Sequence, residues 1–103
     1  MASVNTFAQS SDFDAWLSSL ADQKAKARIL ARLRSATFGN FGDSKPVGEG
    51  VSEMRIHLGA GYRVYYTHTG PAHYVLLTGG NKATQAKDIR RAKSMARELK
   101  RGK

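Results

Sequence analysis

Residues 53–66, Glu-Met-Arg-Ile-His-Leu-Gly-Ala-Gly-Tyr-Arg-Val-Tyr-Tyr, constrain the fold more than any other part of the chain. Two runs that alternate apolar and polar residues flank a loop with two glycines, which predicts a β-hairpin. With residues 59–61 as the loop, His57 would lie opposite Arg63. Because side chains alternate across a strand, one face of this hairpin is apolar and aromatic and is suited to a core.

The other face of the predicted hairpin is polar and carries an unusual set of functional groups. Its members are Glu53, Arg55, His57, Arg63, Tyr65 and Thr67. In the same register Arg55 would lie opposite Tyr65. A face that only keeps the protein in solution would mix Lys, Glu, Thr and Ser. Two guanidiniums, an imidazole and a phenol together predict a site that grips a phosphate-containing ligand, with RNA favoured.

The N-terminal third of the chain predicts one strand and two helices. Residues 4–8 form a short candidate strand. Ser11 begins a Ser-x-x-Asp pattern that is typical of a helix N-terminus, and an apolar stripe at helical spacing follows it. Asp22 is placed to cap a second helix after a tight connection,.

The later segments predict a loop, a strand and a final helix. Residues 38–50 are rich in Gly, Asp and Asn and include Pro46, which indicates a loop. Residues 73–78 are nearly continuously apolar and predict a buried strand, which Gly79 and Gly80 would end,. Asn81 or Thr84 would cap the last helix,.

These elements predict one α+β domain spanning 1–103. The order β-α-α-β-β-β-α favours a small, mainly antiparallel sheet with a helical hairpin packed on one face. The opposite face, with Arg55 and Arg63, would stay open. A chain of 103 residues can bury one core without disulfides or metal,.

Charge is the bulk property that says most about partners. The formal net charge is +9. Residues 1–52 hold six Lys or Arg and five Asp or Glu, whereas residues 53–103 hold eleven and three. A small domain with its positive charge concentrated in one half is typical of a nucleic-acid binder. Attraction to an acidic protein, or solubility alone, is the alternative explanation.

Several classes are not favoured by the sequence. The chain has no cysteine, so neither disulfides nor thiolate metal sites are expected. No apolar run approaches the roughly 20 residues of a membrane span, and the N-terminus lacks signal-peptide character. A cytoplasmic protein without membrane contact is expected. With no His-x-x-x-His, carboxylate pair or phosphate-binding glycine loop, neither a metal nor a small-molecule cofactor is predicted.

Several ordered motifs in this chain resemble one family. They are Gly48-Glu49-Gly50-Val51-x-Glu53-x-Arg55-Ile56, Gly61-Tyr62-Arg63-Val64-Tyr65 and Leu77-x-Gly79-Gly80-x-Lys82-x-x-Gln85-x-x-Asp88-Ile89. Together with earlier segments they cover about Phe13 to Ala96. This pattern is similar to the HigB-like killer proteins of phage and bacterial addiction modules, a branch of the RelE/ParE toxin superfamily.

The resemblance implies a RelE-like fold and a type II toxin that a helix-turn-helix antitoxin neutralises. RelE- and HigB-like members cleave mRNA on the ribosome by attack of a ribose 2′-hydroxyl, without metal. By position, Arg55 and Arg63 match the sheet arginines of these nucleases, and Lys82 matches a basic residue near the scissile phosphate. Where RelE proteins carry a tyrosine, this chain has Lys87 and Asp88.

The remaining candidate roles follow from side-chain chemistry. His57 is the natural proton carrier because imidazole can gain or lose a proton near neutral pH. Tyr65 could donate a proton to the leaving oxygen or stack on a base. Additional RNA contacts are predicted at Lys45, Lys87, Asp88, Arg90 and Arg91. Two alternatives remain: a ParE-like inhibitor of DNA gyrase, and a basic RNA-binding module without catalysis.

Overall fold

One five-stranded sheet organises the computed structural model, which describes residues 4–102. Residues 1–3 and 103 of the predicted domain lie outside the described part. The strands are β1 (Thr6–Gln9), β2 (Ser44–Gly48), β3 (Val51–Ile56), β4 (Tyr62–Gly70) and β5 (His73–Gly80). The helices are α1 (Ser11–Ser19), α2 (Gln23–Thr37) and α3 (Gln85–Arg101), with a 3₁₀ turn (Lys82–Thr84) before α3.

The strands lie side by side in the order β1-β5-β4-β3-β2. β1 runs parallel to β5, and the other three neighbouring pairs are antiparallel. The expected α+β class with a mainly antiparallel sheet is therefore confirmed. In the described residues, no helix has the length and apolar character needed to cross a membrane.

Helices cover both faces of the sheet, and this corrects the expectation that one face stays open. On the first face, residues of α1 and α2 such as Phe13 and Ile29 pack with Met54 and Val64 of the central strands. On the second face α3 packs against Tyr65, Val51 and Leu77. Small residues at the inner positions of α3 allow this close approach to the strands.

Side chains cap the N-termini of α1 and α2, with one shift from the prediction. Asp22 caps α2 as expected, because its Oδ1 accepts a hydrogen bond from the Ala25 amide at 3.0 Å. For α1 the cap is Ser10 and not Ser11. Ser10 Oγ accepts from the Phe13 amide at 3.0 Å and donates to the Leu77 carbonyl at 2.6 Å. This second bond to β5 favours Ser10 over its neighbour.

The segment predicted as a loop, residues 38–50, contains a strand. β2 occupies its second half and pairs antiparallel with β3 at the edge of the sheet. Pro46 is compatible with this position, because an edge strand does not need every backbone donor. The reversal between the strands falls at residues 48–50, where all three residues have positive φ.

The strand β5 continues through Gly79 and ends at Gly80, two residues later than predicted. A Cβ at Gly79 would overlap the indole ring of Trp16 in α1. A Cβ at Gly80 would overlap the carboxylate of Asp88 in α3 and approach Thr84 Oγ1 to 2.8 Å. The two glycines therefore let one helix approach each face of the sheet at adjacent positions.

Candidate phosphate-binding site

The two arginines of the predicted patch are direct neighbours across β3 and β4. Arg55 pairs with Arg63, and Ile56 pairs with Tyr62. The register differs from the expected one because the connection takes residues 57–61 and not only 59–61. The loop gains two residues at its β3 end and none at its β4 end, which shifts every partner by two positions and therefore keeps the faces,. Arg55 and Arg63 therefore lie on one face, as predicted.

These arginines line a surface cleft with a volume of about 490 Å³. The cleft lies at the hairpin end of the sheet. Its walls are formed by Arg55, Ile56, His57, Leu58, Gly59, Gly61, Tyr62, Arg63 and Lys82. Four of the five residues predicted to carry the chemistry therefore meet around one depression.

Arg55 has its backbone and the inner nitrogen of its guanidinium fixed. Its Nε donates to Glu53 Oε1 at 3.1 Å. Its amide donates to the Asp43 carbonyl at 2.9 Å, and its carbonyl accepts from Arg32 Nη1 at 2.6 Å. Its side chain is 30% exposed. Within residues 4–102 no hydrogen bond uses its two terminal nitrogens, so they are free to bind a ligand.

Arg63 lies deeper than Arg55, with only 11% of its side chain exposed. Its Nη1 donates to the Gly61 carbonyl at 2.6 Å. Its buried Nε has no hydrogen-bond partner within the described residues and lies 3.7 Å from Glu53 Oε2. An unpartnered buried donor is costly, since it has lost its hydration. Arg63 still lines the cleft, so its positive charge attracts an anionic ligand that binds there.

Glu53 is the buried acidic group beneath both arginines, and its side chain is fully buried. Its Oε2 accepts from Tyr65 Oη at 3.0 Å and from Gln85 Nε2 at 2.9 Å. Burial by itself would raise the pKa of this carboxyl. The hydrogen bonds from Gln85, Arg55 and Tyr65 and the charge of Arg63 outweigh burial, so the pKa of Glu53 lies below its ordinary value,.

This lowered pKa predicts a contribution to stability that depends on pH. Because the folded protein binds the Glu53 proton more weakly than the unfolded chain does, the contribution is complete above the ordinary pKa of 4.5 and is lost as pH falls through the lower folded pKa,. We expect Glu53→Gln to be less stable than the wild type by about 2 kcal/mol at pH 7. Urea unfolding between pH 7 and pH 3 should show this difference shrinking below pH 4.5. A difference that stays constant over this range would contradict the assignment.

His57 lies in the connection after β3 and not on the strand. Its ring is 72% exposed and its Nε2 lies 2.5 Å from Asp43 Oδ2. The hydrogen bond and the charge of His57, with Arg55 and Arg32 nearby, lower the pKa of Asp43 although its partial burial opposes this. One edge of the imidazole is thus held by a carboxylate while the residue lines the cleft.

Lys82 also lines the cleft. It is exposed and lies in the 3₁₀ turn directly after β5. Its amide donates to the Ala60 carbonyl at 3.3 Å, which joins this turn to the hairpin loop. The Asn81 side chain caps the turn by accepting from the amides of Ala83 and Thr84. Lys82 is therefore held by its backbone beside the hairpin loop and lines the same cleft as the two arginines.

Tyr65 does not reach this surface. It is fully buried under α3 and donates its hydroxyl to Glu53. Burial and the interaction with Glu53 raise the pKa of this phenol above its ordinary value of 10.0. A buried phenol that resists ionisation and points at a carboxylate is a structural group. Its predicted roles in protonating a leaving oxygen or stacking on a base do not fit this position.

The predicted RNA-contact residues are spread over two other regions. Lys45 is exposed on β2, where it pairs with Glu53. Lys87 and Arg90 are exposed on α3, away from the cleft walls. Arg91, also on α3, is paired with Asp12 of α1 at 2.9 Å.

Asp88 is nearly buried and serves the fold near the strand end. Its Oδ2 accepts from Thr84 Oγ1 at 2.5 Å, which ties the first turn of α3 to the residue before it. This carboxylate packs against Gly80. Asp88 is therefore placed to hold α3 against β5, and it is not among the residues that line the cleft.

Three residues that support the site were not predicted to do so. Glu53 was recognised only as a member of the polar face. Asp43 belongs to the segment predicted as a loop, and Arg32 was not predicted to have a role in the site. Arg32 also donates to the Phe41 carbonyl at 3.1 Å, so it ties α2 to the segment before β2. The alternation that puts Glu53 beside Arg55 and Arg63 was the one available signal. Nothing local to residues 32 and 43 indicates their contacts.

No group of three or more His, Cys, Asp or Glu residues within residues 4–102 is arranged to hold a metal ion. The charged groups that converge on the cleft are cationic, which suits an anionic ligand. Arg55, Arg63 and Lys82 are the cationic residues that line the cleft, and guanidinium and ammonium groups form charge-assisted hydrogen bonds with phosphate oxygens,.

Comparison with known proteins gives one close relative. An uncharacterized protein of Haemophilus influenzae is 52% identical to this chain over 87 residues, which is 84% of this chain and 88% of that protein. No family model matches the chain.

Proposed function

This chain belongs to the same family as the Haemophilus influenzae protein, and we propose that it is the toxin of a type II toxin–antitoxin pair, an endonuclease that cleaves mRNA on the ribosome. The observation that carries the proposal is the pairing of Arg55 with Arg63 in a cleft that Lys82 and His57 also line. Within the proposal the domain is RelE-like and related to HigB, and α1 and α2 form its helical hairpin.

The arginine pair suits the charge that develops during RNA cleavage. As the 2′-oxygen bonds to phosphorus and the bond to the 5′-oxygen breaks, negative charge builds up on the non-bridging oxygens. A guanidinium donates parallel hydrogen bonds and keeps its charge at any physiological pH. Arg55 and Arg63 can therefore stabilise the transition state from one side of the phosphate, and Lys82 adds a third positive charge.

Proton transfer is the second requirement of this chemistry. The 2′-hydroxyl must lose a proton as it attacks, and the 5′-oxygen must gain one as it leaves. His57 is the group in the cleft suited to carry a proton near neutral pH. Asp43 holds the Nε2 edge of the ring, which fixes its orientation. The products are a 2′,3′-cyclic phosphate and a 5′-hydroxyl, so no water or cofactor is consumed in this step.

For His57→Ala we expect a fall in cleavage rate of about 10², the lower end of what a positioned acid or base contributes. The measurement is single-turnover cleavage of message bound to purified ribosomes. His73→Ala is the matched control, since His73 is an exposed histidine at the start of β5. A His57 variant that cuts as fast as the control would remove this residue from the mechanism.

The proposal is tested by inducing expression of the chain in bacteria and mapping RNA ends. Cuts inside translated codons with cyclic phosphate ends are expected, together with growth arrest that a co-expressed helix-turn-helix antitoxin relieves. When the purified protein is added to a cytoplasmic extract of bacteria, it should cut message that is bound to ribosomes. Intact message accompanied by DNA damage would instead support inhibition of gyrase and would end the nuclease proposal.

A further inference from the structure

The Glu53 carboxylate receives side chains from three elements of the fold. Arg55 of β3, Tyr65 of β4 and Gln85 of α3 donate to it, and Arg63 of β4 lies within ion-pair distance. No atom of this carboxylate faces solvent, since the side chain is fully buried. Oε1 accepts the hydrogen bond from Arg55. Oε2 accepts the hydrogen bonds from Tyr65 and Gln85 and is the oxygen nearest to Arg63 Nε.

Glu53 has a different effect on each arginine. It uses the Nε of Arg55 and leaves both terminal nitrogens free for the cleft. Near Arg63 it supplies negative charge without a hydrogen bond, while Nη1 is held by Gly61. One negative charge faces two positive charges, so the cleft stays cationic. Because the carboxylate is covered, it does not present a repulsive surface to an incoming phosphate.

We infer that Glu53 is the positioning residue of the cleft, and that its carboxylate aims the guanidinium of Arg55 so that Arg55 and Arg63 bind one phosphate of RNA together. This inference rests on the proposed function. Arginine has a long, flexible side chain, and fixing Nε orients the plane of its guanidinium. Groups behind a binding residue that hold it in the productive geometry typically raise its effectiveness.

An opposite explanation is that the arginines exist to neutralise a buried carboxylate. Both explanations predict that removing Glu53 lowers stability, since buried charge pairs are sensitive to loss of a partner. They differ in ligand binding. If Glu53 acts through Arg55, replacing Glu53 should weaken ligand binding only while Arg55 is present. The effects of the two substitutions on the free energy of binding should then not be additive.

Glu53→Gln is the appropriate variant because it nearly keeps the shape of the side chain. The amide oxygen can still accept from Tyr65 and Gln85. The amide nitrogen then faces the Nε–H of Arg55, so two donors oppose each other and the guanidinium loses its anchor. Glu98→Gln is the matched control, because Glu98 is exposed on α3 and pairs with Arg101.

The experiment measures binding of an oligoribonucleotide with 2′-O-methyl groups on every sugar, which cannot be cleaved by its own hydroxyls. The proteins are the wild type, Glu53→Gln, Arg55→Ala, the double variant and Glu98→Gln. We expect Glu53→Gln to weaken binding about tenfold, which corresponds to a charge-assisted hydrogen bond at the low end of its range. In the Arg55→Ala background the same substitution should change binding less than twofold. The Arg55 Nε–H resonance in ¹⁵N NMR should lose its protection from exchange in Glu53→Gln.

Equal binding by Glu53→Gln and the wild type, or a tenfold loss that persists without Arg55, would overturn the inference. If Glu53→Gln does not fold, Glu53→Asp replaces it in the experiment, because it keeps the negative charge but moves the carboxylate back by one methylene. Unchanged binding of the oligonucleotide by Glu53→Asp would also overturn the inference. A wild type that binds the oligonucleotide and shows the coupling but never cuts message would refute the nuclease proposal while supporting the role of Glu53. A wild type that does not bind the oligonucleotide overturns the inference about Glu53, whereas the nuclease proposal is decided by cleavage of message on ribosomes.

Discussion

Replacing Arg63 by alanine is expected to lower the rate of message cleavage by about 10²–10³, and replacing Arg55 by alanine should have an effect of the same size. Each substitution removes a charged donor from the side of the cleft where the phosphate gains negative charge. Single-turnover cleavage on ribosomes measures the chemical step directly. Lysine at either position should recover only part of the rate, because an ammonium supplies the charge without the parallel hydrogen bonds of a guanidinium.

Arg28→Ala provides the control for this experiment, since Arg28 is an exposed arginine of α2 outside the cleft. It should cut at the wild-type rate, which separates a local effect from the loss of one positive charge. Thermal melting of each variant must show that the protein is folded at the assay temperature, because Arg63 also lies near the buried Glu53. Wild-type cleavage by both alanine variants would rule out the cleft as the cutting site.

Gly79→Ala is expected to lower the free energy of unfolding by about 3 kcal/mol, at the upper end of the usual cost of overpacking a core. The new methyl group would overlap the ring of Trp16, which packs on the strand at this point. For a domain of this size the melting temperature should fall by roughly 12–24 °C. Denaturant unfolding followed by circular dichroism gives the free energy, and a thermal scan gives the shift.

Gly102→Ala is the matched control for this substitution. Gly102 has φ of −70° at the end of α3, and a Cβ there meets nothing closer than 3.6 Å. Its replacement should change stability by less than about 0.5 kcal/mol. A Gly79 variant as stable as the Gly102 variant would show that α1 can move away from the sheet at little cost, against the packing described here.

The face assignment in the hairpin could be predicted from the sequence because it depends only on alternation. Met54, Ile56 and Val64 lie in the core, and Arg55 and Arg63 share the other face. The predicted pairing was wrong although this assignment was right. Where a hairpin loop begins and ends depends on backbone conformation, and residues 57–61 contain no two-residue turn signal that would fix it.

The strand β2 and the continuation of β5 through Gly79 and Gly80 could not be predicted from local signals. Glycine and proline usually punctuate strands, and the segments around them were interpreted accordingly. In the folded protein Pro46 lies on an edge strand, and the two glycines make room for helices that are distant in sequence. The glycines are needed only because these helices pack against the strand. A short stretch of sequence around the glycines does not contain the helices and so cannot show this.

The sequence alone determined which residues can form the cationic face, because charge and side-chain period belong to the chain itself. It did not determine that Tyr65 is covered by α3, that His57 lies beyond the strand, or that Glu53 joins four side chains beneath the cleft. Those facts were decided by the tertiary structure. Burial and hydrogen bonding depend on which distant elements pack together, and that packing gives a buried glutamate partners that local sequence does not identify.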